Sequence, residues 1–432
     1  MNRAKAILKI FSFYKSCPRQ LSFVCVLCLI LVVIISCTQP NKSNQPKTPI
    51  QTLQQPSRFA SIIDSLERDL QAYNEKEVLP GFSVSLFTAD EVIFQKAYGF
   101  ADIEDKKPLT TITKQVIASI SKTFVSVSLM KAVEDGKLDL DQEINDILPF
   151  TVEHPIHKDI PLTIRHLATH TSSISDDANY HRSYIFSEQL NLEDFPKAWE
   201  EHLLKYNQNT DMSLQTYLSN VFNDDMWGSN ENFLKEAPGA TYEYSNIGAA
   251  LLGYCIELAV GKDFKEYSKE VIFDPLGMKN TSWIFNNDDF SNHVTYYNEL
   301  YNAVPTYYCA SYPDGGISTN IQELTKYMQA IISGYQGKEG ILSLQSFKTM
   351  LTNQIPDLDT PTGIIWDLDV DCCIGHGGND FGTATMMYFS KESGIGKIFF
   401  TNITTETEEI IDTYSSLFND MFRYDDEIRE VL

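Results

Sequence analysis

Strand signals lie at the two ends of this chain and almost nowhere between them, and that distribution limits the folds open to it. Phe82-Ser83-Val84-Ser85-Leu86 alternates after the break Pro80-Gly81, and Val92-Ile93-Phe94 resumes beyond Asp90-Glu91, which is the pattern of an antiparallel hairpin. Far downstream, Thr383 to Phe389 and Lys397 to Thr401 read as strands joined by a turn through Ser393-Gly394. Helical periods flank both pairs, one through Phe59, Ile62, Ile63, Leu66 and Leu70, the other over Glu406 to Phe422. Residues 175 to 235 carry few strand signals and many helix-compatible residues, with Tyr180, Tyr184, Phe186, Trp199 and Trp227 among them. The pattern predicts an α+β fold in which one antiparallel sheet, flanked by helices, is built from both chain ends, with a mostly helical lobe inserted. The expected division is an α/β lobe over 58–118 and 305–425 and a helical lobe over 119–304, with a site between them.

The N-terminus reads as an address. Arg3, Lys5, Lys9, Lys15 and Arg19 are unaccompanied by any acid, and the apolar run Leu21 to Ile35 is short for a membrane span. It ends in Ile34-Ile35-Ser36-Cys37, which resembles the bacterial lipobox. That implies a signal peptide over 1–36, lipidation of Cys37, and a membrane-anchored lipoprotein of the bacterial cell envelope. Residues 37–57, rich in Gln, Pro, Asn, Ser and Thr, have too little apolar content to fold and read as a flexible tether. Five of the 34 basic residues leave with the signal, so 29 face 58 acidic ones, a net charge near −29. So negative a surface argues against nucleic acid as a partner and against docking on anionic lipid. Cys255, Cys309, Cys372 and Cys373 are too few for a disulfide framework, and no Cys/His spacing suits zinc. The adjacent Cys372 and Cys373 read as small buried apolar side chains, with a redox pair as the alternative.

Ser119 and Lys122 stand one helical turn apart, on one face, at the start of a helix expected to run to about Glu134 and to stop at Asp135-Gly136. A desolvated lysine can lose its charge and accept a serine's proton, and a helix start adds positive potential and unpaired N–H groups. Ser-x-x-Lys alone is common. Here four further stretches accompany it: Leu162 to Ser172; Pro238-Gly239 with Tyr242-Glu243-Tyr244-Ser245-Asn246; Pro275-Leu276-Gly277-Met278 with Thr281; and Gly375-His376-Gly377-Gly378.

In this order the motifs resemble the serine β-lactamase and penicillin-binding protein superfamily, in its class C-like branch of D-aminopeptidases, DD-carboxypeptidases and esterases. The resemblance covers roughly Ser57 to Asn402 and implies a β-lactamase-like fold. It also implies a serine hydrolase that acts through an acyl-serine on a small-molecule or peptide substrate, with no metal and no organic cofactor. It makes Ser119 the nucleophile and Lys122 its base, with Tyr244 as the other candidate base in phenolate form. Asn246 orients the lysine and meets the substrate, His376 binds substrate, and Gly378 lets the substrate backbone approach. The N–H groups of Ser119 and Asn379 form the oxyanion hole. His166, His170 and Ser121 read as packing or capping residues, and the aromatics of the insert as core, with the lining of a substrate groove as the alternative. Two positions depart from the family's pattern. His376-x-Gly378 replaces Lys-Thr-Gly, which disfavours a substrate carboxylate and leaves aminopeptidase, amidase or esterase chemistry in front of β-lactamase chemistry. Ser173 stands where glycine is common. A non-turnover acyl-binding sensor and a structural lipoprotein with relic motifs are the alternatives.

Overall fold

The strand Gly81–Phe87 is buried on both faces, and the architecture follows from what covers each of them. A computed structural model describes residues 58–223, 225–285, 288–369 and 372–432. The signal peptide, Cys37 and the tether read from the sequence lie outside the described residues. Residues Phe59–Leu432 form one unit, and among the described residues no helix is long and apolar enough to cross a membrane.

Seven strands make the main sheet: β1 (Gly81–Phe87), β2 (Val92–Asp102), β3 (Lys107–Pro108), β4 (Asp367–Leu368), β5 (Cys373–Asp380), β6 (Thr383–Ser390) and β7 (Gly396–Thr401). Their order is β4-β5-β6-β7-β1-β2-β3, with every pair antiparallel. The two ends of the chain meet where β1 pairs with β7, Phe82 opposite Thr401 and Phe87 opposite Gly396. The main helices are α1 (Ala60–Asn74), α2 (Ser121–Glu134), α3 (Asn246–Val260), α4 (Ile321–Tyr335) and α5 (Glu408–Arg423).

On one face the ring of Phe82 lies near Phe399, whose ring is 5.1 Å from Tyr414 of α5. Helix α1 joins this layer, tied to α5 by a Tyr73 hydroxyl donating to Asp420 at 2.8 Å. On the other face Ser85 accepts from Thr325 of α4 at 2.9 Å, so the polar members of the β1 alternation are buried under a helix. Glu323 of α4 in turn accepts from Thr281 at 2.7 Å and from the Asn280 backbone and side chain. That latch is the structural reason for a threonine after the Pro275-Leu276-Gly277-Met278 turn. Helix α2 is buried almost all round, as expected of a helix enclosed by others, and packs on α3.

The insert is less regular than its helix-compatible composition suggested. It holds two short α-helices, Glu200–Tyr206 and Leu214–Val221, several 3₁₀ turns, and a strand Tyr184–Phe186 paired with Tyr307–Cys309. Pro196, Gly228 and many Asn and Asp residues offer the backbone local alternatives to helix. Its aromatics form core, as read: the rings of Tyr184, Phe186, Tyr206, Tyr307 and Phe381 pack mutually, 5.3–6.4 Å apart. The reading of Cys372 and Cys373 as separate buried side chains is corrected, because the two are joined by a vicinal disulfide where the chain enters β5. Cys373 is buried as expected, while Cys372 is only half-buried and is held by Asp369 and Lys391. Cys255 and Cys309 are buried free thiols.

Candidate active site

Ser119 is the one residue between Gln115 and Val127 that is not buried. It sits in a 3₁₀ turn, Ala118–Ile120, that leads into α2. The backbone before it is held from both sides. Ile117 N–H donates to Ile317 at 2.9 Å, Thr385 donates to the Ile117 carbonyl at 3.0 Å, and Ser121 accepts from Ile317 N–H at 3.0 Å. Ala118 is forced to φ 46°, a left-handed conformation that a non-glycine residue holds only under such constraint.

Lys122 is fully buried, and its Nζ has three oxygen neighbours: Ser119 Oγ at 3.0 Å, Asn246 Oδ1 at 2.6 Å and the Asp314 carbonyl at 2.5 Å. A neutral amine has two N–H bonds and one lone pair. The carbonyl oxygens of Asn246 and Asp314 can only accept, so they take the N–H bonds, and the lone pair is left for the Ser119 proton. Burial pushes the lysine's pKa down, against the upward pull of Asp314, Asp176 and Asp380, which makes the neutral form more accessible.

Asn246 opens α3, and its orientation is set by a residue that the sequence reading missed. Asp176 accepts from Asn246 N–H at 2.7 Å, Asn246 Nδ2 at 2.8 Å, Ile247 N–H at 3.0 Å and Ser245 Oγ at 3.2 Å. A carboxylate at that helix start satisfies orphan donors and the dipole at once. It also holds the side-chain amide with its oxygen towards Lys122. Asp176 lies in a polar loop without periodicity, so no local signal marked it.

The Tyr244 ring lies under Lys122, with Nζ 5.0 Å from its centroid. Its hydroxyl is buried and lacks a hydrogen bond of ordinary geometry, although Ser119 is near enough to ease its ionisation. Burial nonetheless drives the phenol's pKa well up, which favours the phenol over the phenolate expected from the sequence, because one buried cation opposes a large desolvation. His170 clamps this segment. Its Nδ1 accepts from Ser245 N–H at 3.2 Å, its carbonyl accepts from Glu243 N–H at 2.8 Å, and its ring is 4.6 Å from that of Tyr244. His166 closes a capping box with Thr163 on the short helix Ile164–Ala168. Ser173 has φ 64°, which explains why glycine suits that position, and its hydroxyl donates to the Glu236 carbonyl at 2.6 Å.

Strand β5 borders Ser119. Its partner β4 covers only Ile374 and Gly375, so the edge from Gly377 to Asp380 is open. His376 is 3% exposed, with Nδ1 2.6 Å from the Gly377 carbonyl and Nε2 buried without a partner. The carbonyl can only accept, so Nδ1 carries the proton and Nε2 presents a lone pair. Burial lowers the ring's pKa, with Asp367 opposing, and favours that neutral form. The His376 ring is 6.3 Å from that of Tyr244. Asn379 is exposed at the open edge, while Gly378 is pressed against the Ser119 turn. A Cβ at Gly378 would stand 2.4 Å from the Ile117 carbonyl oxygen and 3.1 Å from Ser119 N. Gly378→Ala should therefore move β5 off the Ser119 turn and cut the acylation rate on the order of 10²-fold, the scale of one lost oxyanion donor. Stopped-flow acylation with thermal melting as a control checks it, and an unaltered rate would show that close contact here is dispensable.

The chain is similar to known proteins over most of its described length. The model of the family described as Beta-lactamase matches residues 66–417. Protein flp of Staphylococcus aureus strain MRSA252 is 26% identical over 240 residues, which cover 56% of this chain and 41% of flp. Penicillin-binding protein 4* of Bacillus subtilis strain 168 is 28% identical over 192 residues, 44% of this chain and 35% of that protein. The chain thus spans less than half the length of these relatives. In fold it is similar to the octameric penicillin-binding protein homologue from Pyrococcus abyssi, with a TM-score of 0.63 at 22% identity, covering 82% of this chain and 76% of that one. A class C beta-lactamase gives a TM-score of 0.63 at 18% identity, covering 84% and 96%. With a family match that runs from α1 to α5 and encloses all five motifs, the chain belongs to the Beta-lactamase family.

Proposed function

We propose that this protein is a serine hydrolase of the bacterial envelope that cleaves amide, peptide or ester bonds through an acyl-serine. Ser119 Oγ attacks the carbonyl carbon as its proton passes to Lys122 Nζ, and the oxyanion formed lies against the N–H groups of Ser119 and Asn379. Collapse breaks the bond to the leaving group, which takes a proton relayed from Lys122 through the protonated Tyr244. Water then attacks the acyl-serine by the same relay in reverse, and the serine recovers its proton. Asn246 holds the lysine and His376 contacts the substrate. The observation that carries this reading is the placement of Lys122 Nζ 3.0 Å from Ser119 Oγ, with Asn246 Oδ1 and the Asp314 carbonyl as its other neighbours, so that when the amine is neutral those two oxygens take its N–H bonds and its lone pair faces Ser119.

The substrate class follows from charge. Lys122 is the cation felt by His376, Asp176 and Asp314, and it is engaged with the nucleophile. His376 offers a lone pair where a lysine would offer a charge. The site is thus suited to substrates that present a donor, such as an amine or amide N–H, instead of a carboxylate.

The test is intact-mass measurement after brief exposure to a serine-reactive phosphonate and, separately, to a penicillin, with Ser119→Ala alongside. Labelling by phosphonate alone is expected. Labelling by penicillin as well would overturn the view that carboxylates are disfavoured, and a penicillin adduct that persists for hours would favour the sensor. With neither adduct, the hydrolase reading is refuted. The lipid anchor is a separate proposal supported by the Ile34-Ile35-Ser36-Cys37 sequence. Cys37→Ser should release the protein from membranes, and a variant that still sediments with them would count against lipidation.

A further inference from the structure

The chemistry above uses Asp314 only through its backbone, and its side chain is left over. Asp314 ends the 3₁₀ turn Tyr312–Asp314, which packs against both α2 and α3. Its carbonyl receives a Lys122 N–H at 2.5 Å. The next residue is also tied to the nucleophile, since a Cβ at Gly315 would stand 3.8 Å from the Ala118 carbonyl carbon. The Asp314 side chain is fully buried, and its carboxyl oxygens lack a hydrogen bond of ordinary geometry, although the Tyr180 hydroxyl is near enough to ease ionisation. A buried carboxylate so sparsely supplied with donors is costly unless a nearby positive charge compensates it.

The groups around it leave one candidate for that charge. Tyr180, Tyr217 and Cys309 face the carboxyl from the insert and the adjoining strand, Asp176 and Asp380 add negative potential, and Tyr244 lies within reach. Lys122 is the cation among them, and Asp314 is the foremost influence that opposes the effect of burial on the lysine. Burial, eased by Lys122 and Tyr180, pushes the carboxyl up to about 7, so its charge changes in the neutral range.

We propose that the Asp314 carboxylate is a positioning residue for acylation: by its charge it holds the proton on Lys122 and so governs when the amine is free to accept the Ser119 proton. This rests on the reading of Ser119 as nucleophile and Lys122 as base. An ionised Asp314 favours the ammonium form, which has no lone pair for the serine. Neutralising Asp314 removes that attraction, so the free amine persists to lower pH. Proton balance is simple, because the proton stays on the lysine or leaves to solvent, and no bond at Asp314 is made or broken.

The measurement is the pH dependence of the second-order rate at which a serine-reactive phosphonate labels Ser119 in the full chain, for wild type, Asp314→Asn and Asp314→Glu. The acidic limb of Asp314→Asn should shift down by about one to three pH units, the scale of a lost neighbouring opposite charge. Asp314→Glu should stay close to wild type. A merely structural role would lower the rate equally at all pH values, and that result, or a superimposable limb, would overturn the proposal. If Asp314→Asn fails to fold, Asp314→Ser removes the same charge with less volume and is read by the same criteria. Labelling of wild type with no shift in the neutral variants sinks this proposal alone. Absence of labelling in wild type sinks the nucleophile reading, and this proposal with it.

Discussion

Ser119→Ala should abolish covalent labelling and reduce turnover on the order of 10⁶-fold, the loss seen when a hydrolase nucleophile is removed and only binding and the oxyanion hole remain. The fold should not notice. Ser119 is small and partly accessible, and the turn that carries it is held by Ile117, Ser121 and Ile317, so stability should change by less than about 0.5 kcal/mol. Mass spectrometry of the labelled chain, paired with a denaturant melt, separates the two effects. Turnover that survives the substitution would place the nucleophile elsewhere.

Lys122→Met should combine a large catalytic loss with a large structural one. Removal of a positioned base costs about 10²–10⁴-fold in acylation. The same change strips donors from Asn246 Oδ1 and the Asp314 carbonyl and leaves the Asp314 and Asp176 carboxyls without their compensating charge. Breaking a buried charge arrangement from one side typically costs about 3–5 kcal/mol. Methionine fills most of the lysine's volume, so cavity formation is a minor part of that cost. The variant should label slowly and lose the acidic limb of its pH profile, since the limb belongs to the lysine. Wild-type labelling with an unaltered limb would transfer the base role to Tyr244, although burial keeps that phenol protonated.

Most of the fold was legible because it obeys local rules. The alternation at residues 82–86, the C-terminal strand pair and the helical periods at both ends each report one surface meeting one core, and each became the element it predicted. Strand β5 was visible through its motif more than through its periodicity, because Gly375, Gly377 and Gly378 blunt strand propensity. The insert was the least legible part, since its order comes from side-chain bonds such as Asn179 to Asn232 at 3.0 Å, made across 53 residues.

The site divides in the same way. Ser119 and Lys122 became candidates only in the company of the motifs around Tyr244, Asn246 and His376, whose order along the chain resembles the family's. No local pattern pointed to Asp176, which holds Asn246 from 70 residues away, or to Asp314, whose carbonyl meets Lys122 from 192 residues away. The proton on Tyr244 and the tautomer of His376 also lay beyond the sequence, because burial and a neighbouring carbonyl set them. By itself the sequence determined which groups this protein has for chemistry and the scaffold that carries them, since periodicity and spacing act over a few residues. Only the tertiary structure decided their charge and aim, because desolvation and hydrogen bonding depend on which distant segments close around each group.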